Sequence, residues 1–211
     1  MEILYFKRLP STQKYLIERV RSGEINRELA IVTQQQSAGI GSRNNSWIAK
    51  EGDLLFSFCY KKEHLPKDLP ISSASIYFAY LMKELLCEMG GECWLKWPND
   101  IYIKNKKSGG VVTQQIREFY IVGIGINLVP REEDFGYFHI KKRVPEIVES
   151  YFLLLKKAPK WQEIFSKFRL EFERNKNYSA TINGVKRALT KATLCTDGAL
   201  LIDNERIYSL R

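Results

Sequence analysis

Residues 96–100 read Lys-Trp-Pro-Asn-Asp, and a short apolar run follows them. Proline fixes its own φ and disfavours a helical conformation in the residue before it, here Trp97. We therefore predict a strand that begins after Pro98, with Asn99 and Asp100 at its mouth. Side chains in that position can face a ligand, which makes this stretch the reference point for both the fold and the site.

A basic, glycine-containing segment follows the predicted strand, and residues 106–111 read Lys-Lys-Ser-Gly-Gly-Val. Two adjacent glycines let a backbone pass close to another group, and Lys107 beside them supplies a mobile positive charge. Taken alone, the segment is also typical of a hairpin turn with a solvated lysine. Together with the preceding amide and carboxylate, it suits a nucleotide or an activated carboxylate.

A second polar segment occupies residues 36–47 and reads Gln-Ser-Ala-Gly-Ile-Gly-Ser-Arg-Asn-Asn-Ser-Trp. Gly39 and Gly41 free successive N–H groups to point at an anion, and the guanidinium of Arg43 offers a planar fork of donors. Trp47 offers a ring face for a base. The third glycine and the following helix of a dinucleotide-binding turn are missing, so that fold is disfavoured. A flexible surface loop is the alternative.

Two further segments carry polar groups next to apolar structure. Residues 123–128 read Gly-Ile-Gly-Ile-Asn-Leu, and glycines weaken an apolar strand unless something approaches the backbone closely. Asn127 at the end can bind phosphate oxygens or hold a metal-bound water, although a bulge in a core strand is the alternative. Residues 11–13 read Ser-Thr-Gln and open a helix, where a helix cap and a ligand contact are compatible.

Composition limits the class of protein. The 211 residues carry a net charge of +9, with 33 Lys and Arg against 24 Asp and Glu, and the excess lies after residue 100. Nucleic acid is one explanation of such an excess, a negatively charged nucleotide with an acidic protein substrate is another, and a solvated face with no partner is the alternative to both. The four cysteines show no paired spacing and the histidines number two, which disfavours a zinc site or a histidine triad. With no export signal or membrane span at the start, we expect a cytoplasmic protein with reduced thiols.

The periodicity predicts alternating strands and helices. Apolar residues spaced by three and four between Ile71 and Met89 predict a long helix, and helices are predicted at Pro145–Leu155 and Lys160–Asn175. Beyond residue 176 the pattern changes to short strands with Asn-Gly and Asp-Gly turns. We therefore predict a main domain over 1–176 and a small β module over 177–211 that leans on it.

Taken in order, the segments resemble the biotin protein ligases. The Lys-Trp-Pro-Asn-Asp motif of that family is present without change. The family's other motifs are similar to Ser-Thr-Gln at 11–13, the glycine loop at 36–47, Lys107–Gly110 and Gly123–Asn127. The resemblance covers residues 3 to about 175 and is weaker in the tail.

This resemblance implies an α+β fold: a mixed sheet like that of class II aminoacyl-tRNA synthetases with helices on one side, followed by an SH3-like barrel. It implies that biotin and MgATP form biotinyl-5′-adenylate, and that a lysine of a biotin carboxyl carrier protein then receives the biotin. It assigns Lys107 and Arg43 to catalysis and Asp100 to Mg²⁺. The implied biotin-binding residues are Ser11, Thr12, Gln13, Gln36, Gly39, Gly41, Ser42, Lys107, Gly110, Gly123 and Gly125. The implied ATP and adenylate residues are Arg43, Trp47, Lys96, Asn99, Asp100 and Asn127.

The chain departs from the family at three places. Many members carry Gly-Arg-Gly-Arg in the loop where residues 39–43 read Gly-Ile-Gly-Ser-Arg, so only Arg43 remains to hold the adenylate. Gln13 replaces an asparagine, and the tail lacks a Gly-Gly pair. A lipoate or octanoate ligase or transferase of the same superfamily is the alternative, and a basic nucleic-acid-binding module is a remote one. Since the sequence starts at the first strand, we expect neither a helix-turn-helix nor specific DNA binding. The oligomeric state is left open.

Overall fold

The computed structural model describes residues 1–42, 45–132, 134–182 and 184–208. None of the helices in these ranges is long and apolar enough to cross a membrane. The α-helices are α1 (Thr12–Ser22), α2 (Ala74–Glu88), α3 (Val144–Lys156) and α4 (Trp161–Glu171). The strands of the first part are β1 (Glu2–Leu9), β2 (Leu29–Gln36), β3 (Gly39–Ile40), β4 (Ser46–Trp47), β5 (Leu54–Lys61), β6 (Trp94–Lys96), β7 (Asp100–Ile103), β8 (Lys106–Ile116) and β9 (Phe119–Ile126). The last strands are β10 (Ser179–Ile182), β11 (Val185–Ala188), β12 (Thr193–Leu194), β13 (Leu200–Ile202) and β14 (Glu205–Ile207).

One seven-stranded sheet forms the centre of the molecule, in the order β1-β2-β5-β9-β8-β7-β6. The pair β1–β2 is parallel, because α1 connects these strands, and the remaining pairs are antiparallel. The short strands β3 and β4 pair with each other beside the sheet. This mixed sheet confirms the α+β class predicted from the sequence.

The two faces of the sheet carry different helices. Phe56 and Phe58 of β5 pack on α2 and α3, where both rings contact Tyr151. Leu16 and Val20 of α1 pack in a separate cluster on the opposite face. Helices α2, α3 and α4 therefore form the expected layer on one side of the sheet. Helix α1 differs from this expectation, because it lies on the opposite side. Successive side chains along a strand point to opposite faces of the sheet, so the residues of β5 can pack against helices on both faces.

The segment that carries Lys107 is a strand rather than the predicted glycine turn. The reversal lies between Ile103 and Lys106, and β8 already includes Lys107 and Gly109. The register shifts there, so that Ile101 pairs with Gly109 but Tyr102 pairs with Lys107. Ser108 is the extra residue of this bulge, and a bulge redirects the side chains around it.

The C-terminal strands form two small antiparallel sheets, β10–β11 and β12–β13–β14. Their pairings among the described residues do not close a barrel, so the SH3-like barrel stays a prediction. The apolar side chains of these strands, including Leu200 and Ile202, belong to the same core cluster as α2 and β5. The boundary between residues 176 and 177 likewise stays a prediction.

Candidate active site

A pocket of about 450 Å³, including its open mouth, lies on the α1 face of the sheet. The start of α1, the glycine loop, and strands β5, β7, β8 and β9 surround it. Most of the residues predicted from the sequence line this pocket, namely Ser11, Thr12, Gln13, Gln36, Gly41, Ser42, Trp47, Asn99, Asp100, Lys107, Gly110, Gly123 and Gly125. Segments far apart in the sequence thus meet at one site.

One end of the pocket is a cluster of neutral polar side chains. The backbone N–H of Thr12 donates to Gln36 Oε1 at 2.8 Å, and the Thr12 hydroxyl contacts the same oxygen at 3.2 Å. Thr12 Oγ1 also shares a hydrogen bond of 2.8 Å with Ser57 Oγ. Ser11 caps α1 by accepting from Lys14 N at 3.3 Å. Sequence reasoning missed Ser57, and the only signal was a small polar residue within the apolar strand β5.

Gln13 brings an acceptor without a partner to the same end of the pocket. Its Nε2 donates to the Ile121 carbonyl at 3.1 Å, whereas its buried Oε1 has no hydrogen-bond partner among the described residues. A Cβ atom at Gly123 would lie 2.6 Å from this oxygen. The glycine therefore makes room for Gln13. A buried acceptor that lacks a donor is costly unless a ligand or water supplies one.

A charged pair lies at the other end. Lys107 Nζ is 2.6 Å from Asp100 Oδ1, and both side chains are partly exposed. Gly110 lies against this pair, since a Cβ there would be 3.4 Å from Asp100 Oδ1 and 3.7 Å from Lys107 Cε. The ammonium predicted to be mobile is thus held by a carboxylate, at a place where an anionic ligand can reach it.

Asn99 stabilises the backbone at this end of the pocket. It is buried, its Nδ2 donates to the Val111 carbonyl, and its own carbonyl accepts from Val111 N at 2.9 Å. The Trp97–Pro98 peptide before it is cis. Asn99 therefore fixes the start of β7 against β8, and the position of Asp100 is fixed as a result.

Trp47 covers the backbone of β9. A Cβ atom at Gly125 would lie 2.7 Å from the indole Cε2, and the buried indole Nε1 has no hydrogen-bond partner within the described part of the chain. Gly39 lies outside the pocket lining and lets β3 approach β4, because its Cβ would be 2.6 Å from the Trp47 carbonyl. Gly39 thus supports the loop, and its predicted contact with biotin stays a prediction.

The glycine loop is closed by a backbone hydrogen bond from Gly41 N to the Asn45 carbonyl at 2.7 Å. Gly41 and Ser42 face the pocket. Arg43, the residue to which the resemblance assigns a catalytic role, lies outside the described residues.

A second pocket adjoins the first on the far side of Trp47 and Lys107. Asn127 borders it, with its Nδ2 bonded to the Gly136 carbonyl at 2.9 Å and its Oδ1 accepting from Arg131 at 3.1 Å. Arg131 also pairs with the fully buried Asp53. Asn127 is therefore a neighbour of the first pocket rather than part of its lining.

Sequence reasoning missed the pair of Arg131 and Asp53. Asp53 accepts from Lys50 N at 2.8 Å and Leu128 N at 3.1 Å in addition to Arg131. This network attaches the segment after β9 to the start of β5. The only signal in the sequence was an arginine four residues after Asn127, in the same connection.

Lys96 lines neither pocket but borders a neighbouring cleft, which shares Asp100 and Lys107 with the first pocket. Its Nζ contacts the Tyr102 hydroxyl at 3.4 Å and lies over the Tyr178 ring, in a cleft toward the C-terminal strands. Burial and then the charge of Asp100 raise the pKa of Tyr102 to about 12, so this phenol stays neutral. The predicted adenylate contact of Lys96 is not part of the pocket lining.

No group of three or more His, Cys, Asp or Glu side chains gathers in the described ranges as a metal site. Of the residues that the structure describes, Asp100 is the one carboxylate in the lining of the first pocket. Magnesium typically takes one or two carboxylates together with substrate phosphates. A single carboxylate is compatible with Mg²⁺ carried in by a nucleotide, and it is insufficient for a resident metal.

Comparisons with known proteins agree with this geometry. The sequence profile of the Biotin/lipoate A/B protein ligase family matches residues 5–128, which is more than half of the chain. The chain belongs to this family.

Among solved structures, the biotin acetyl coenzyme A carboxylase synthetase of Helicobacter pylori, described with bound biotinylated ATP, matches with a TM-score of 0.93 and 35% identity. The match covers 98% of this chain and 99% of that one. The biotin protein ligase of Aquifex aeolicus in complex with biotin and ATP shares the fold, with a TM-score of 0.75 at 22% identity over 100% of this chain and 96% of that one.

Among curated relatives, the bifunctional ligase/repressor BirA of Salmonella typhimurium is 30% identical over 135 residues. The match covers 60% of this chain and 41% of the relative. The chain thus spans about two fifths of that protein's length.

Proposed function

We propose that this protein is an ATP-dependent biotin protein ligase. It would form biotinyl-5′-adenylate and pyrophosphate from biotin and ATP, and then transfer biotin to a lysine of a biotin carboxyl carrier protein. The family membership and the 35% identity over almost the whole Helicobacter pylori synthetase support this proposal.

The observation that carries the choice of biotin is the polar end of the pocket. The ureido group of biotin offers two N–H donors and one carbonyl acceptor. Gln13 Oε1 lacks a donor there, and the hydroxyls of Thr12 and Ser57 lie beside it. An octanoyl or lipoyl tail offers no N–H donor at this end and would leave Gln13 Oε1 buried without a partner, which costs free energy. The geometry therefore favours biotin over the lipoate alternative.

The charged end of the pocket suits the first step. A biotin carboxylate oxygen attacks the α-phosphorus of ATP, and the bond to the bridging oxygen of pyrophosphate breaks. Lys107 Nζ would lie between the carboxylate and the α-phosphate, where it stabilises charge that grows in the transition state. Asp100 would hold the ammonium in place before the ligands arrive, and Mg²⁺ bound with the nucleotide would contact Asp100 and lower the charge of the phosphates.

The neighbouring pocket suits the nucleotide. Trp47 and Arg131 both border it, together with Asn127. We propose that the adenine stacks on the Trp47 ring and that Asn127 and Arg131 shape the site for the base and ribose. In the second step, the amine of the carrier lysine attacks the carbonyl carbon of the mixed anhydride, and AMP leaves.

The test is pyrophosphate release by the purified chain. Biotin with ATP should give pyrophosphate and biotinyl-5′-adenylate detectable by mass spectrometry, whereas lipoate and octanoate should give neither above background. Equal turnover of octanoate would overturn the choice of biotin. Addition of a carrier domain should then yield a protein heavier by one biotinyl group, with loss of that product when its acceptor lysine is replaced by arginine.

A further inference from the structure

Two cysteines that are six residues apart in the sequence meet in the structure, on the face opposite the proposed active site. Cys87 lies in the last turn of α2, and Cys93 immediately precedes β6. Their sulfur atoms are 3.5 Å apart. Cys87 Sγ also lies 3.7 Å from the Cys93 carbonyl, and Cys93 Sγ lies 3.7 Å from the Lys83 carbonyl. Nothing in the proposed ligase chemistry uses this pair.

The turn between the two cysteines holds them together. Gly90 has a φ of 90°, a conformation that side chains other than glycine rarely adopt. A Cβ atom at Gly91 would lie 2.8 Å from the Leu86 carbonyl and from the Phe138 ring. A helix end, a glycine reversal and a strand start thus fix the two backbones. Formation of a disulfide requires the sulfurs to close from 3.5 Å to about 2.05 Å.

The surroundings favour reaction at Cys87. Its side chain is partly exposed in an open surface cleft whose charged lining residues are Glu92, Lys104 and Arg174, whereas Cys93 borders the same cleft but is buried. The hydrogen bond between the two thiols lowers the pKa of Cys87 against the opposing effect of burial, and the nearby Lys83 ammonium acts in the same direction. The same pairing and burial raise the pKa of Cys93. One sulfur is therefore set to attack and the other to resolve.

We propose that Cys87 and Cys93 are a peroxide-reactive thiol pair that forms a reversible intramolecular disulfide. The Cys87 thiolate attacks one oxygen of hydrogen peroxide, the O–O bond breaks, and Cys87 becomes a sulfenic acid while the departing hydroxide takes up a proton and leaves as water. The Cys93 thiol then attacks the sulfenic sulfur, and a second water leaves with the Cys93 proton. Two thiols are oxidised to one disulfide, and one hydrogen peroxide is reduced to two waters. An external dithiol reverses the reaction by exchange.

The other two cysteines provide internal controls. Cys59 is buried and donates to the Arg27 carbonyl at 3.1 Å, and burial raises its pKa to about 11. Cys195 is partly buried near the β12–β13 connection, in the C-terminal part. Neither should compete with Cys87 for a small molar excess of peroxide.

The experiment treats the reduced full chain with hydrogen peroxide, blocks the remaining thiols under denaturing conditions and maps the peptides by mass spectrometry. The expected product links Cys87 to Cys93 within one chain, leaves Cys59 and Cys195 blocked, and returns to the reduced form with dithiothreitol. Loss of the Cys87 thiol should be at least about tenfold faster than loss of the Cys195 thiol at neutral pH.

Three variants separate the steps. Cys93→Ser should stop at a Cys87 sulfenic acid that dimedone traps, Cys87→Ser should leave Cys93 unreacted, and Cys195→Ser should form the disulfide at the wild-type rate. Three results with wild-type protein would overturn the proposal. Both thiols could remain free, Cys87 could proceed to sulfinic acid without a cross-link, or the disulfide could join two chains. The wild-type map decides the question even where a variant fails to fold.

Discussion

Lys107 and Asp100 concentrate the charge of the proposed site in one contact of 2.6 Å. Both side chains are partly exposed, and ion pairs of this kind contribute little to stability. Gly110 places no side chain between the pair and the pocket. We therefore expect the pair to serve a ligand rather than the fold, and its effects on activity and on stability should separate on mutation.

We predict that Lys107→Ala lowers the single-turnover rate of adenylate formation by about 100-fold to 1000-fold, the typical cost of losing one charge-stabilising donor. The thermal unfolding midpoint should change little. The exposed neighbour Lys106 gives the matched control, since Lys106→Ala should keep the wild-type rate. Near-normal adenylation by Lys107→Ala, measured by rapid quench with labelled ATP, would exclude the proposed role.

Gly123 and Gly125 show why an apolar strand contains two glycines. The sequence predicted that something approaches this backbone closely, and the approaching groups are the chain's own Gln13 and Trp47. A methyl group at either position would meet them at 2.6 and 2.7 Å respectively. The two positions therefore test the two ends of the proposed ligand separately.

We predict that Gly123→Ala displaces Gln13 and weakens biotin binding by at least about tenfold, because a misplaced buried hydrogen bond costs on the order of 1–3 kcal/mol. Gly125→Ala should displace the Trp47 ring and weaken ATP binding instead. Isothermal titration with each ligand alone measures both effects, and each variant is the control for the other. The same loss of both ligands in both variants would point to general disruption of β9.

At the scale of elements, a short 3₁₀ segment, Phe172–Asn177, stabilises the strands next to the proposed active site. Asn175 within it is fully buried. Its Oδ1 accepts from Trp97 N at 2.7 Å, and its Nδ2 donates to the Leu95 carbonyl at 3.2 Å. These bonds satisfy one backbone carbonyl of β6, the strand at the edge of the sheet, and one backbone N–H of the connection that follows it.

We predict that Asn175→Ala destabilises the protein by about 2–4 kcal/mol, since it leaves two buried backbone groups without partners. The exposed Asn177 gives the matched control, and Asn177→Ala should lie within about 0.5 kcal/mol of wild type. Urea unfolding measures both. A change below about 1 kcal/mol for Asn175→Ala would show that water replaces the side chain.

A buried ion pair links α2 to α4, with Lys83 Nζ 3.3 Å from Glu171 Oε2. Burial raises the pKa of Glu171 to about 6, although Lys83 opposes this effect. A carboxyl whose pKa is higher in the folded than in the unfolded state binds protons more tightly when folded. Its contribution to stability therefore grows as the pH falls toward the unfolded value of 4.5 and shrinks as the pH rises through about 6.

We predict that the unfolding free energy of wild type relative to Glu171→Gln increases by about 1 kcal/mol when the pH is lowered from about 7 to about 5, because this change covers only part of the range between the two pKa values. Taking this difference removes the contributions of the other carboxyls. The exposed Glu163 provides the control, and Glu163→Gln should show no such trend relative to wild type. A difference of the opposite sign would mean that Lys83 outweighs burial.

The sequence predicted the elements whose cause is local and missed those whose cause is tertiary. The long helix α2 and the strands around residues 96–103 follow from periodicity and from Pro98, so they could be predicted. The bulge at Ser108 arises from pairing with β7, and the bond between Arg131 and Asp53 joins residues 78 apart in the chain. Neither leaves a local pattern that sequence reasoning can detect.

At the scale of the whole molecule, the C-terminal strands and the main sheet share one apolar core. Trp97 Nε1 donates to the Gly198 carbonyl at 2.9 Å, and Trp161 Nε1 donates to the Thr196 carbonyl at 2.9 Å. Leu200 is completely buried in the cluster that also contains α2 and β5. The predicted small β module therefore depends on the main part, and the main part in turn covers Trp97 and Trp161 with it.

Because the core is shared, we predict that the C-terminal strands and the main sheet unfold cooperatively. Leu200→Ala should lower the unfolding free energy of the entire chain by about 2–4 kcal/mol, as large-to-small substitutions in cores do. The neighbouring Leu201, which is 38% exposed, supplies the matched control, and Leu201→Ala should cost far less. Hydrogen exchange should show protection falling equally in β5 and β13. Loss of protection confined to residues 179–208, with β5 unchanged, would instead mean that the C-terminal strands unfold on their own and that the boundary near residue 176 separates two independent folding units.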